Sequence, residues 1–67
     1  MESADRRLLT VLEVAHALSL SRSLVFEEIR VGRLKSVKLG RARRVPVDYL
    51  DQYIELLKAE DATEDAA

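Results

Sequence analysis

Between Leu18 and Arg22 there is room for only three residues, Ser19, Leu20 and Ser21, and that gap constrains the fold more than any other feature. Upstream, Val11, Val14, Ala15 and Leu18 recur at helical spacing on one face. Thr10 stands three residues before Glu13, a capping-box pattern ahead of an apolar run. A first helix is predicted over about Val11 to Leu18. Downstream, Ser21 is a suitable N-cap for a second helix over Arg22 to Val31. Val25 and Ile29 face inward there, four residues apart, with Leu20 packing beside them. Gly32 suits the left-handed conformation that stops such a helix. Two short helices joined this tightly have the spacing of a helix-turn-helix.

After Gly32 the apolar period changes from helical to two. In "LKSVKLG" Leu34, Val37 and Leu39 are apolar while Lys35 and Lys38 are not, the pattern of a short half-buried strand. "RVP" is expected to return beside it, closed by a tight loop around Gly40 to Arg43. Pro46 cannot donate to a strand ladder, so it ends the second strand and precedes a helix. That last helix, about Val47 to Lys58, places Leu50, Tyr53, Ile54 and Leu57 on one stripe. The expected fold class is mainly α with a small β-hairpin wing: a winged helix-turn-helix in the order helix, turn, helix, hairpin, helix. The expected organisation is a flexible arm over residues 1–7, a domain over 8–58, and an acidic disordered tail over 59–67.

Size and composition exclude several functions. A chain of 67 residues makes one small domain, burying roughly 60% of its unfolded surface, too little to also enclose a deep catalytic pocket. It has no cysteine, so disulfides and thiolate metal sites are absent, which fits a reducing cytoplasm. "MESADRR" lacks a signal-peptide core, and no run approaches the ~20 apolar residues of a membrane span. The single histidine, His16, has Glu13 three residues away, yet no nucleophile, base and orienter set accompanies it. His16 reads as a partly exposed helix residue. The expectation is a cytoplasmic, DNA-associated protein without enzymatic activity, metal, cofactor or small-molecule substrate.

The net charge of −1 conceals a segregated distribution. Residues 22–44 hold eight basic side chains, Arg22, Arg30, Arg33, Lys35, Lys38, Arg41, Arg43 and Arg44, against Glu27 and Glu28, a local excess of six. Residues 59–67 hold four acids and no base. On the second helix, steps of about 100° place Ser23, Glu27 and Arg30 opposite the inner face, with Phe26 at its edge. Ser21 and Arg22 lie at the N-terminus, where backbone N–H groups favour phosphate. This is the arrangement of a recognition helix entering the major groove. Arg22 suits a guanine edge or a phosphate, Glu27 a cytosine amino group, and Ser23 either kind of base. In the wing, Leu39 and Val45 are expected to pack on the helices, leaving Arg41 and Arg43 projecting from the tip, with Lys38 and Arg44 as further wing contacts. A narrow minor groove attracts such cations. A solvated helix face or a charged protective edge explains each feature singly. The order, helix-turn-helix and then arginine-rich hairpin, favours double-stranded DNA.

The stretch "LLTVLEVAHALSLSRSLVFEEIRVGRLKSVKLGRARRVPVDYLDQYI" resembles the excisionase-type, MerR-like winged helix-turn-helix family. The resemblance covers residues 8–57 and lies in the ordered combination of helix, serine-rich turn, "SRSLVFEEIRVG" helix and Gly/Arg wing ending in Pro. It implies DNA contacts at Ser21, Arg22, Ser23 and Phe26 and at Arg41, Arg43 and Arg44. It also implies a recombination directionality factor that binds and bends attachment-site DNA beside copies of itself and assists an integrase. A small transcriptional regulator of a phage or mobile element is the alternative within the family. A protein–protein module using Leu12, Leu56 and the tail is the alternative outside it. Ser19 stands where the family usually has glycine; if that position takes positive φ, serine costs on the order of 1 kcal/mol.

Overall fold

The computed structural model describes residues 7–66, with side chains described for residues 7–62. The elements run β1 (Leu8–Thr10), α1 (Val11–Leu18), α2 (Arg22–Arg30), β2 (Val37–Leu39), β3 (Ala42–Pro46) and α3 (Val47–Ala66). This is the expected winged helix-turn-helix, with one strand more than was read from the sequence.

Local chemistry sets the first two helices. At α1 the Glu13 amide donates to Thr10 Oγ1 at 3.0 Å and the Thr10 amide donates to Glu13 Oε1 at 2.9 Å, a complete capping box. The helix ends at Ser19, which takes φ 57° and ψ 41°. There the Leu20 amide reaches back to the Ala15 carbonyl at 2.9 Å, closing a Schellman-type turn. Ser21 then caps α2, its hydroxyl accepting from the Leu24 amide at 3.1 Å. Past α2, Gly32 adopts φ 88° and the chain turns so that Arg33 and Leu34 both donate to the Glu28 carbonyl.

Three elements differ from expectation. The N-terminal segment contributes β1, which pairs antiparallel with β3 through Leu8–Pro46, Leu9–Val45 and Thr10–Arg44. The sheet therefore has three strands in the order β1-β3-β2. Of the predicted arm, residues 1–6 lie outside the described residues, while the Arg7 carbonyl accepts from the Val47 amide at 2.9 Å.

The hairpin is tighter than expected. β2 covers only Val37–Leu39, and Leu39 pairs with Ala42, so the loop is Gly40 and Arg41 alone. Gly40 takes φ 60°, the sign required at the first position of a two-residue II′-type turn. Register also decides where Leu39 points. Val45 is fully buried and opposite Leu9, which assigns Arg43 and its partner Lys38 to the helix-side face. Leu39 has the opposite parity and falls on the outer face, 55% exposed, instead of packing on the helices. Leu34 fills the core in its place, at 1% exposure.

α3 does not stop at Lys58. Of residues 59–67, expected as a disordered tail, 59–66 continue the helix, and residue 67 lies outside the described residues. A contact distant in sequence supports the helix just past Lys58: the Arg33 guanidinium grips both oxygens of Glu60. Lys58 adds a 3.2 Å bond to Glu55 one turn back.

The core consists of Val11, Val14, Ala15, Val25, Leu34, Val45, Leu50 and Tyr53, with Leu20, Ile29, Ile54 and Leu57 partly buried around it. The inward positions expected on all three helices are thus occupied as read. Leu12 and Leu56 are exposed.

Candidate nucleic-acid interface

Ser21, Arg22, Ser23, Phe26, Glu27 and Arg30 are all exposed, so the face of α2 opposite buried Val25 is open along its length. Arg22 is the first helical residue, beside the free amides of the N-terminus. Its guanidinium has no carboxylate partner among the described residues.

Arg30 differs. Its Nε donates to Glu27 Oε1 at 3.1 Å and its Nη2 donates to Oε2, a fork on one carboxylate. That pair holds the Glu27 carboxyl below its ordinary range and pushes Arg30 up, in both cases mainly through the hydrogen bond. Glu27, expected to accept from a cytosine amino group, has both carboxylate oxygens occupied by Arg30. The pair lies in solvent, where such contacts contribute little stability, so its effect is on orientation.

Arg33 is also neutralised. Its Nε donates to Glu28 Oε1 at 2.7 Å and its terminal nitrogens take Glu60, one of them at 2.8 Å. Tyr53 donates its hydroxyl to the same Glu28 oxygen at 2.9 Å. Burial, then this bond, pushes the Tyr53 phenol up, while Arg33 holds the Glu28 and Glu60 carboxyls down. Glu28, Arg33, Tyr53 and Glu60 thus tie the base of α2 to the C-terminal half of α3. Sequence reasoning left these four out of any network. No local spacing signals it, because Arg33 and Glu60 are 27 residues apart.

The two acids within residues 22–44 therefore account for Arg30 and Arg33. Arg22, Lys35, Lys38, Arg41, Arg43 and Arg44 remain without a carboxylate partner among the described residues. Four of these six are in the wing. Lys38 lies directly opposite Arg43 in the ladder, a like-charge pair that destabilises a hairpin unless an anion lies beside it. Arg43 does not project from the tip as expected: it lies half-buried within β3 and donates to Ser36 Oγ at 2.7 Å, which ties the wing to the segment leaving α2. Arg44 donates to the Arg43 carbonyl at 3.1 Å and shares the outer face with Val37 and Leu39. Arg41 is exposed in the turn. Cations thus occupy both faces and the end of one hairpin.

A helix-turn-helix with an open second helix, followed by a hairpin whose cations have no carboxylate partner among the described residues, defines the winged helix-turn-helix class. Comparison with known proteins agrees: a helix-turn-helix domain family matches residues 8–55. An excisionase of Streptomyces ambofaciens is 44% identical over 55 residues, covering 82% of this chain and 89% of that protein. A probable excisionase of Saccharopolyspora erythraea is 38% identical over 58 residues, covering 87% of this chain and 59% of that longer protein. No solved structure matches significantly. The chain belongs to the excisionase-type helix-turn-helix family of DNA-binding proteins.

Proposed function

We propose that this protein binds attachment-site DNA with α2 in the major groove and the wing in the neighbouring minor groove, and that it acts there as a recombination directionality factor assisting an integrase. The observation that supports this most is the set of six cations, running from the start of α2 to the wing, that have no carboxylate partner among the described residues. Ser21, Arg22, Ser23, Phe26, Glu27 and Arg30 form the major-groove face in this reading, and Lys38, Arg41, Arg43 and Arg44 the wing contact. No metal, cofactor or catalytic group takes part; the protein acts by shaping DNA.

A domain of this size reads few base pairs, so useful specificity requires neighbours on the same site. Bending 20–30 bp costs on the order of 1–6 kcal/mol, which adjacent copies offset together. The proposal is therefore cooperative binding of several copies that bend the site, the free protein being monomeric.

The test is duplex binding against salt. Each phosphate contact contributes a slope of about −0.9 in log K against log salt. Replacing Arg41 and Arg43 by Ala should flatten the slope by about 1.8 and weaken binding to every duplex. Unchanged slope and affinity in that double variant refute a wing on DNA. A single copy on one short, straight site at saturation refutes the architectural role and leaves a simple transcriptional regulator.

A further inference from the structure

We propose that Leu39 is an apolar wedge at the tip of the wing, seated against sugars and base edges in the minor groove and responsible for distorting the duplex there. This rests on the reading of the wing as a DNA contact.

Leu39 is the last residue of β2, immediately before the two-residue turn. It is 55% exposed, the most exposed large aliphatic side chain among the described residues. Its ladder partner Ala42 is small, so nothing across the strand covers it. The register of β2 on β3 aims it away from the helices, on the face opposite Val45, and the two-residue Gly40–Arg41 turn fixes that register. Its position is therefore not an accident of a loose loop.

The surroundings indicate what Leu39 meets. Arg41 follows it by two residues, and Arg44 lies on the same outer face beyond Ala42. No acidic residue occurs between Arg33 and Pro46. A branched aliphatic group at the leading end of a hairpin, flanked by cations, matches the minor groove, whose deoxyribose walls are largely apolar, whose floor is base edges and whose rims are phosphates. Single apolar side chains in that groove part base steps and kink the duplex. Gly40 keeps this tip narrow: at φ 60° it closes the hairpin in two residues without a side chain of its own. The cations and the leucine then divide the task. The arginines supply attraction that salt screens, and Leu39 supplies a contact that salt does not.

The experiment uses the full chain and a duplex selected from a random pool by the wild-type protein. Affinity, salt slope and end-to-end distance by fluorescence energy transfer are measured for wild type, Leu39→Ala, Leu39→Met and the Arg41/Arg43 double alanine variant. Leu39→Ala should bind about tenfold more weakly, the effect of losing most of one buried leucine contact. Its salt slope should equal that of wild type, and the bend should shrink. Leu39→Met should retain most of the affinity and bend, because it keeps the apolar volume. Equal affinity and bend in Leu39→Ala would overturn the proposal. So would a change confined to the spacing between the first and second bound copies, which would make Leu39 a contact between proteins. An altered slope in the arginine double variant, beside an unaffected Leu39→Ala, would sink the wedge while leaving the DNA-binding reading intact. Absence of binding by wild type would sink both.

Discussion

Replacing Ser19 with glycine should make this protein more stable, although it removes a side chain. Ser19 is the only described non-glycine residue with positive φ, at 57°. A residue with a Cβ incurs roughly 1–2 kcal/mol in that region, because Cβ crowds the following carbonyl. Glycine avoids that cost but adds freedom to the unfolded chain, which returns about 0.4–1 kcal/mol. The backbone amide of Ser19 donates to Ala15 and His16, and these bonds survive the change. The side chain is exposed, so little packing is lost. The net gain is about 1 kcal/mol, which for a domain of 60–100 residues raises Tm by roughly 4–8 °C. Circular-dichroism melts of wild type, Ser19→Gly and Ser19→Ala measure this. Alanine retains the φ penalty and should not raise Tm. A glycine variant no more stable than the alanine variant would refute the reasoning.

Glu27→Ala frees Arg30 from its carboxylate. Affinity for random duplex should hold or rise, and base preference should relax; site selection that returns the same preference would show that the pair does not read bases. Acid should weaken the contact between α2 and α3. Glu28 and Glu60 have folded values below their unfolded ones, so their stabilisation is present above the unfolded carboxylate value of about 4.3 and is lost as pH falls through the depressed folded values. Urea midpoints from neutral pH downward should show this loss, and Arg33→Met should flatten it. Glu28, with its side chain 15% exposed, is expected to dominate over the more open Glu60. An acid limb identical in Arg33→Met would assign the loss to other carboxylates.

Much of the fold acts over three to five residues and was therefore legible as sequence. The capping box at Thr10 and Glu13, the Ser21 cap, the turn at Ser19 and the stop at Gly32 are such local devices. Together with the apolar periods of α1, α2 and α3 they determined the helix-turn-helix and its inward faces. The location of the candidate interface was legible too, because charge segregation along the chain is itself a sequence property. Tertiary structure alone decided the rest, through partners distant in the chain. Leu8–Thr10 becomes a strand only because β3 presents a free edge to it. Leu39 turns outward because Val45, paired with Leu9, takes the core side of β3. Arg33 leaves the set of free cations because a bend at Gly32 and the packing of Tyr53 bring Glu28 and Glu60 to one guanidinium. Caps and periods operate within a single turn of chain, whereas pairing, parity and ion-pair partners depend on which segments packing brings side by side.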